Sequence, residues 1–202
     1  MLPLRRFHYH FNNIIKILIV SDFVVWSASG MVSIVFPVFI IDNIENGSLE
    51  VAGFASMIYL VVSAITTIPM GMVMDKLKGY VDEVKFLFWG TLFRGACIFL
   101  YAYTSQIWQL FALQFVLGIS RAAMYPSWRL LFSKFADKKK AGMEWSTYDA
   151  ITTMGMGVTA YLGSFIAEEM SFKILFQISG IATMLGSFLI IFLRMYIKDK
   201  KR

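Results

Sequence analysis

Long apolar runs dominate the chain, and polar residues gather in the short segments between them. About 17–25 apolar residues in a helix cross the roughly 30 Å hydrocarbon core of a bilayer, because each residue rises about 1.5 Å. Six such runs predict membrane spans over 14–41, 51–74, 86–104, 107–132, 143–167 and 172–193. We therefore expect an all-α membrane protein in which residues 1–202 form a single six-helix bundle.

Basic residues are concentrated on one side of the predicted membrane. Of the 19 lysines and arginines, fifteen lie on that side: Arg5, Arg6, Lys16, Lys76, Lys78, Lys85, Lys134, Lys138, Lys139, Lys140, Arg194, Lys198, Lys200, Lys201 and Arg202. The opposite side carries Lys173 among the acidic residues Asp42, Glu45, Glu50, Glu168 and Glu169. The positive-inside rule then predicts a multi-pass protein of the plasma (inner) membrane with both termini in the cytoplasm. Because orientation signals account for the net charge of +6, we expect no nucleic-acid partner.

The composition agrees with a membrane location and narrows the chemistry. Apolar residues make up 58% of the chain and charged residues 16%, against about 45–50% and about 25% in soluble domains. Cys97 is the single cysteine, and His8 and His10 precede the first span, so we expect no metal site and no cofactor. The spans also lack a histidine base for a serine nucleophile, and Asp75 and Asp82 are too far apart for a divalent-cation cluster. We expect no enzymatic activity.

Ionisable residues occur inside the predicted spans. Each is expected to cost about 2.5–3.5 kcal/mol in the bilayer unless it is paired or faces water. From the rise per residue, Asp22, Asp149 and Arg94 lie about 12 Å deep and Arg121 about 17 Å deep, so ion pairs between helices are geometrically allowed. These residues predict either interhelical partners or a water-filled cavity.

Helical spacing places polar and small residues on one face of spans one, two, four and five. The four faces are Asp22, Trp26, Ser29 and Ser33; Ser56, Tyr59, Ser63 and Thr66; Gln114, Gly118, Arg121 and Tyr125; and Tyr148, Thr152, Gly155 and Thr159. Such faces either let helices pack closely or line a polar pathway. The second interpretation gives a substrate or ion pathway of Asp22, Trp26, Ser29, Tyr59, Arg121, Tyr125, Asp149 and Thr152. In it, Asp22 is a candidate proton or cation site and Arg121 a candidate counter-ion or anion contact.

Spans three and six are more uniformly apolar than the other four. The chain therefore divides into two triplets of similar character. Because three is odd, the second triplet is inverted relative to the first, which is typical of secondary transporters. We expect two inverted three-helix repeats.

The connection between spans two and three contains Gly71, Asp75 and Lys76 in the pattern G-x-x-x-D-K. In this position the pattern resembles the loop signature of the major facilitator superfamily, although Lys78-Gly79 inverts the order of its final part. The resemblance implies a cytoplasmic charge cluster, a conformational latch formed by the loop motif of Gly71, Asp75, Lys76, Arg129 and Glu144. Physically, Gly71 would also permit close helix approach, and Arg129 and Glu144 have the alternative of extending to water.

The resemblance implies half of a major facilitator-type fold, similar to an N-terminal half. It implies a secondary active transporter, or a half or subunit of one, that moves a small solute across the lipid bilayer by alternating access. The expected partners are the solute, with proton coupling left open, and a second six-helix half, as a homodimer or separately encoded. The alternatives are a non-transporting six-helix membrane assembly, a lipid-handling protein and an inactive truncated half.

Overall fold

The computed structural model describes residues 11–77 and 79–197, and these residues fold into helices connected by short turns. In chain order the helices are α1 (Asn13–Ser33), α2 (Phe36–Asn43), α3 (Leu49–Lys76), α4 (Tyr80–Leu100), α5 (Ile107–Phe135), α6 (Ala141–Glu169), α7 (Phe172–Ile191) and α8 (Leu193–Ile197). Six segments are long and apolar enough to cross a membrane, namely α1, α3, α4 with its 3-10 turn, α5, α6, and α7 with α8. The predicted fold class, an all-α membrane protein with six spans, is confirmed.

The helix bounds differ from the predicted spans where charge or proline interrupts the apolar pattern. Helix α4 begins at Tyr80 and not at residue 86, because Asp82 and Glu83 in its first turn suit the positive end of the helix dipole. The first predicted span is two helices, since the chain breaks between α1 and α2 just before Pro37, which has no backbone N–H to donate. Of the residues named for charge and chemistry, Arg5, Arg6, His8, His10, Lys78, Lys198, Lys200, Lys201 and Arg202 lie outside the described residues.

The helices pack in pairs that reveal the internal repeat. Helix α1 packs on α6 and α7, α4 packs on α5 and α7, and α3 packs on α5. In the two triplets α1 corresponds to α5, α3 to α6 and α4 to α7. The contact of α1 with α6 then corresponds to that of α5 with α3, and the contact of α4 with α5 corresponds to that of α7 with α1. The contact of α4 with α7 corresponds to itself. This packing agrees with the predicted two inverted three-helix repeats.

Two apolar cores hold the bundle together, one toward each end. One core contains Leu18, Leu87 and Phe132, at the end of the bundle that carries Lys16, Lys76, Lys85, Lys134 and Arg194, here called the basic end. The other contains Ile40 and Phe176, near the opposite end. The segments between the two cores carry Ser29 on α1, Arg94 on α4 and Arg121 on α5. The polar middle of the bundle is therefore enclosed at both ends by apolar packing.

Helices α3 and α6 lie at the periphery of the bundle. Only 17% of the apolar 18-residue segment of each helix is buried, compared with 61% for the corresponding segment of α1. Both expose large apolar side chains, among them Ile65 and Ile68 on α3 and Val158 and Tyr161 on α6. These faces suit lipid or a second membrane unit.

Candidate functional site

Two neighbouring cavities form a groove through the polar middle of the bundle. The first, which we call the arginine cavity, has a volume of about 260 Å³ and lies among α1, α3, α4 and α5. The second, which we call the aromatic cavity, has a volume of about 450 Å³ and is lined mainly by α1, α5 and α6. Trp26 and Met156 line both cavities, so the two are adjoining parts of one groove.

Arg94 supplies the positive charge in the arginine cavity. Its Nη2 donates a hydrogen bond to Ser29 Oγ at 2.9 Å, and its Nη1 donates to Tyr59 Oη at 3.5 Å. The third donor, Nε, is buried without a hydrogen-bond partner among the described residues. Both accepting groups are neutral hydroxyls, so they position the guanidinium without neutralising its charge.

Arg121 lies near Arg94, and both residues contact Tyr59. Its guanidinium carbon is 5.7 Å from the ring centroid of Tyr59 and 5.4 Å from that of Tyr125, within the range of cation–π attraction. A small gap is lined by both arginines. Within the described part of the chain, neither guanidinium has a carboxylate within ion-pair distance. Two cationic groups therefore share the middle of the bundle.

Asp22 is the buried carboxylate of the groove. Its side chain is on α1, and its Oδ2 accepts hydrogen bonds from Trp26 Nε1 at 2.9 Å and from Tyr148 Oη at 2.6 Å. The interhelical ion pair that depth alone allowed is not formed among the described residues. The physical reason is that α6 packs directly on α1 and brings the Tyr148 hydroxyl to Asp22, while the i,i+4 spacing places Trp26 beside it.

An aromatic cluster holds Tyr148 in place. The ring of Tyr148 lies 4.4 Å from that of Trp128 and 5.7 Å from that of Phe132, measured between centroids. Trp145 contacts the same two residues. Because several rings fix its orientation, the hydroxyl of Tyr148 is directed at Asp22 by packing as well as by hydrogen bonding.

The structure places the eight predicted pathway residues around this groove. Ser29 and Tyr59 line the arginine cavity, Asp149 and Thr152 line the aromatic cavity, and Trp26 lines both. Arg121 and Tyr125 line the gap beside Arg94. Asp22 lies behind the lining residues and accepts a hydrogen bond from Trp26. Asp149 is exposed, in contrast to the buried Asp22. Their predicted role in transport remains a prediction.

Parts of the predicted polar faces serve helix packing and not the groove. Thr159 Oγ1 donates to the Ser27 carbonyl at 2.7 Å, which joins α6 to α1. Gly118 lies against Tyr59 and Val62 of α3. The packing interpretation of the small polar stripes therefore applies at these positions, while other positions of the same helices line the groove.

Arg94 and Tyr101 are not among the predicted pathway residues. The sequence predicts Arg94 as an ionisable residue within a span, but span three is more uniformly apolar than the spans with polar faces. The spacing of Arg94, Ile98 and Tyr101 is i, i+4, i+7, and all three line the arginine cavity. A lone arginine in an apolar span was thus a sufficient signal.

The residues of the predicted latch lie at the basic end. Asp75 and Lys76 are exposed at the end of α3. Glu144 is buried, and its Oε2 accepts a hydrogen bond from the Asp137 backbone N–H at 3.0 Å, so extension to water does not account for it. Arg129 is exposed and lies 4.8 Å from the Tyr125 ring centroid.

Gly71 differs from its expected part in helix packing. No atom of the described residues lies within 4 Å of the position that a Cβ at Gly71 would take. The expected close helix approach is therefore absent within the described bundle, because α3 is peripheral there. Among the described residues, no group of three or more His, Cys, Asp or Glu side chains is placed to hold a metal ion.

Six membrane helices in two inverted triplets around a polar groove define one half of a transporter-type bundle. The sequence matches the family model of the Major Facilitator Superfamily over residues 18–202, and the chain belongs to this superfamily. No curated protein matches its sequence.

Two solved structures show the same fold. A crystal structure of the peptide transporter POT in complex with sulfate is 18% identical, with a TM-score of 0.70 over 98% of this chain. A crystal structure of a mutant of that transporter, also in complex with sulfate, is 16% identical with a TM-score of 0.68. In both comparisons the chain spans 40% of the other protein's length.

Proposed function

We propose that this chain is a six-helix half of a secondary active transporter that moves a small solute through the groove by alternating access. The observation that carries the proposal is the groove itself. It holds Arg94, Arg121 and Asp22 in the middle of a bundle that belongs to the Major Facilitator Superfamily. Charged groups at this depth are costly unless they are paired or face water, and neither guanidinium is paired with a carboxylate among the described residues.

A second six-helix unit completes the groove in this proposal. The matched transporter is longer, since this chain spans 40% of it. Helices α3 and α6 flank the groove and leave their outer faces without cover in the described bundle. Gly71 has open space around it at the basic end, where a second unit would approach α3. The proposal holds whether the same polypeptide, a second copy or another chain supplies that unit.

The charge distribution supports an orientation with both termini on the cytoplasmic side of the plasma membrane. In the described part, Lys16, Lys76, Lys85, Lys134 and Arg194 lie at the basic end. The other end carries Asp42, Glu45, Glu50, Glu168 and Glu169 with Lys173. Lysine and arginine in short loops are retained on the cytoplasmic side during insertion.

Asp22 is the proposed site of proton coupling. Its carboxylate accepts hydrogen bonds from Trp26, which lines both cavities, and from Tyr148 of a neighbouring helix. A proton on this carboxyl group would remove the charge that strengthens both bonds. Protonation would thereby loosen the contact of α1 with α6 while changing the charge of the groove.

Thiol labelling in membranes tests the proposal directly. Cys97, the single cysteine of the sequence, is first replaced by alanine so that only the introduced thiols can react. Ser29→Cys, Ser56→Cys and Thr152→Cys each place a thiol in the groove lining. We expect a membrane-impermeant maleimide to label these thiols in the assembled protein, because a watery groove allows the reactive thiolate to form.

Two positions on α7 give a matched control for labelling. Leu185 and Phe188 are 59% and 50% exposed, and both are apolar, so they are expected to face lipid. Leu185→Cys and Phe188→Cys should stay unlabelled until the membrane is dissolved in detergent. Groove thiols that are as poorly labelled as these controls from both sides of the membrane would refute a solute pathway.

A further inference from the structure

We propose that the solute is an organic anion with one carboxylate and a small apolar body, and that Arg94 binds the carboxylate. This inference rests on the proposed function, which it deepens by naming the class of solute. The arginine cavity is where the carboxylate lies, with the apolar body against Val32 and Phe36.

The first argument is the balance of charge. Arg94 and Arg121 both contact Tyr59, and neither has a carboxylate within ion-pair distance among the described residues. Two like charges in a medium of low dielectric repel each other strongly, and they also lose their hydration. An anion bound to Arg94 in the arginine cavity, next to the gap that Arg121 also lines, offsets both costs, whereas a cation would add to the repulsion.

Asp22 does not reverse this balance. It is a single carboxylate against two guanidinium groups. Its Oδ2 already accepts hydrogen bonds from Trp26 and Tyr148, and Tyr148 lines the aromatic cavity and not the arginine cavity. The groove therefore has separate places for a proton and for an anionic solute.

The second argument is the presence of unused donors. Arg94 Nε and Tyr101 Oη are both buried without a hydrogen-bond partner in the described part of the chain, and both residues line the arginine cavity. Tyr101 is only 2% exposed. Buried donors are nearly always satisfied in folded proteins, by protein, water or ligand, and an anion in this cavity would supply acceptors to both. A carboxylate offers two acceptor oxygens and pairs with guanidinium in a bidentate manner.

The rest of the cavity selects for an apolar body. Val32, Phe36, Ile98 and Leu117 form much of its wall, and Ser33, Ser56 and Gln114 add a smaller polar part. A volume of about 260 Å³ lies just below the usual range for small-molecule sites, which begins at about 300 Å³. A compact monocarboxylate such as phenylacetate meets both conditions. A fully polar anion such as sulfate would leave the apolar walls uncovered.

Binding to a matched panel tests the inference. Phenylacetate, its neutral amide phenylacetamide and the cation phenethylammonium share one apolar body and differ in charge. Each is titrated into the purified protein, assembled with its second half, by calorimetry and by thermal shift. We expect binding and thermal stabilisation with phenylacetate and at least about tenfold weaker binding of the other two compounds, because a hydrogen bond to a charged group contributes about 1.5–3 kcal/mol.

Variants then assign the anion to Arg94. Arg94→Gln should weaken phenylacetate binding at least about tenfold and remove the preference over phenylacetamide, whereas Arg94→Lys keeps the charge and should retain the preference. Lys85→Gln is the control, because it removes an exposed cation that pairs with Asp82 outside the groove. It should leave binding unchanged.

The outcomes separate this inference from the proposed function. Equal or tighter binding of phenethylammonium or phenylacetamide would overturn the anion assignment, as would no binding of phenylacetate or undiminished binding by Arg94→Gln. Groove thiols that are labelled in the same protein would then leave the transporter proposal standing. Unlabelled groove thiols would refute the transporter proposal whichever compound binds.

Discussion

Asp22→Asn is expected to abolish proton-driven transport while the bundle stays folded. Asparagine has nearly the same shape and keeps an oxygen that accepts a hydrogen bond from Trp26 or Tyr148, so the contact of α1 with α6 is largely preserved. It cannot take up and release a proton. If Asp22 couples the proton to the solute, an imposed pH gradient no longer drives uptake in this variant.

The measurement is uptake of the panel compound that binds, into vesicles that contain the chain with its second half, with and without a pH gradient. Tyr148→Phe is the companion variant, because it leaves the carboxylate in place and removes one of its hydrogen bonds. We expect it to retain gradient-driven uptake at a reduced rate. Uptake by Asp22→Asn at the level of the unchanged protein would show that the carboxylate is not the coupling site.

A paired substitution tests the non-transporting alternative. If the groove charges only stabilise the bundle, replacing Asp22 and Arg121 together by leucine should be tolerated, because well-packed apolar residues often replace buried charges at no cost. Transport and stability then distinguish the alternatives. A transporter loses uptake in this double variant whatever its stability, whereas a structural assembly keeps its function and its melting temperature.

Gly163→Ala is expected to destabilise the bundle by separating α1 from α6. A Cβ at this position would lie 2.6 Å from Met31 Cα and closer still to the Met31 carbonyl oxygen. These are backbone atoms, which cannot rotate away as a side chain does, so the helices must move apart. Overpacking of this kind costs about 1–3 kcal/mol. The shift would also strain the hydrogen bond from Tyr148 to Asp22, which spans the same helix pair.

Gly157→Ala is the matched control, because Gly157 is on the same helix and no described atom lies within 4 Å of its Cβ position. Both substitutions gain the same helix propensity, about 1 kcal/mol, so the difference between them measures the packing conflict. The readout is the temperature at which each detergent-solubilised variant loses its monodisperse peak in size-exclusion chromatography. Equal temperatures for the two variants would show that α1 and α6 are not in close contact.

More of the fold than of the site could be predicted, because the fold depends on patterns along the chain and the site depends on contacts between helices. Six spans and their grouping into triplets follow from the lengths of apolar runs and from the positions of polar faces. The break before Pro37 and the early start of α4 at Tyr80 were not predicted, since a hydropathy pattern does not distinguish a continuous helix from an interrupted one, or a charged first turn from a loop.

For the site, the residue types were visible but their partners were not. Asp22 is a candidate from its depth and from its place on a polar helix face, and depth allows it to pair with an arginine. The structure gives it Tyr148 and Trp26 instead. The predicted pathway does not include Arg94, because the spacing along one helix does not show that α4 turns this residue toward the polar faces of its neighbours.

The sequence by itself determined the membrane class, the six spans and the family, because hydrophobic transfer and the loop motif are read over contiguous residues. Only the tertiary structure decided that Arg94 and Arg121 share Tyr59, that Tyr101 Oη and Arg94 Nε are unused donors beside one cavity, and that Gly71 has no close neighbour in the described bundle. The physical reason is that these properties depend on which helices are adjacent and how each is rotated about its axis, and side-chain packing sets both.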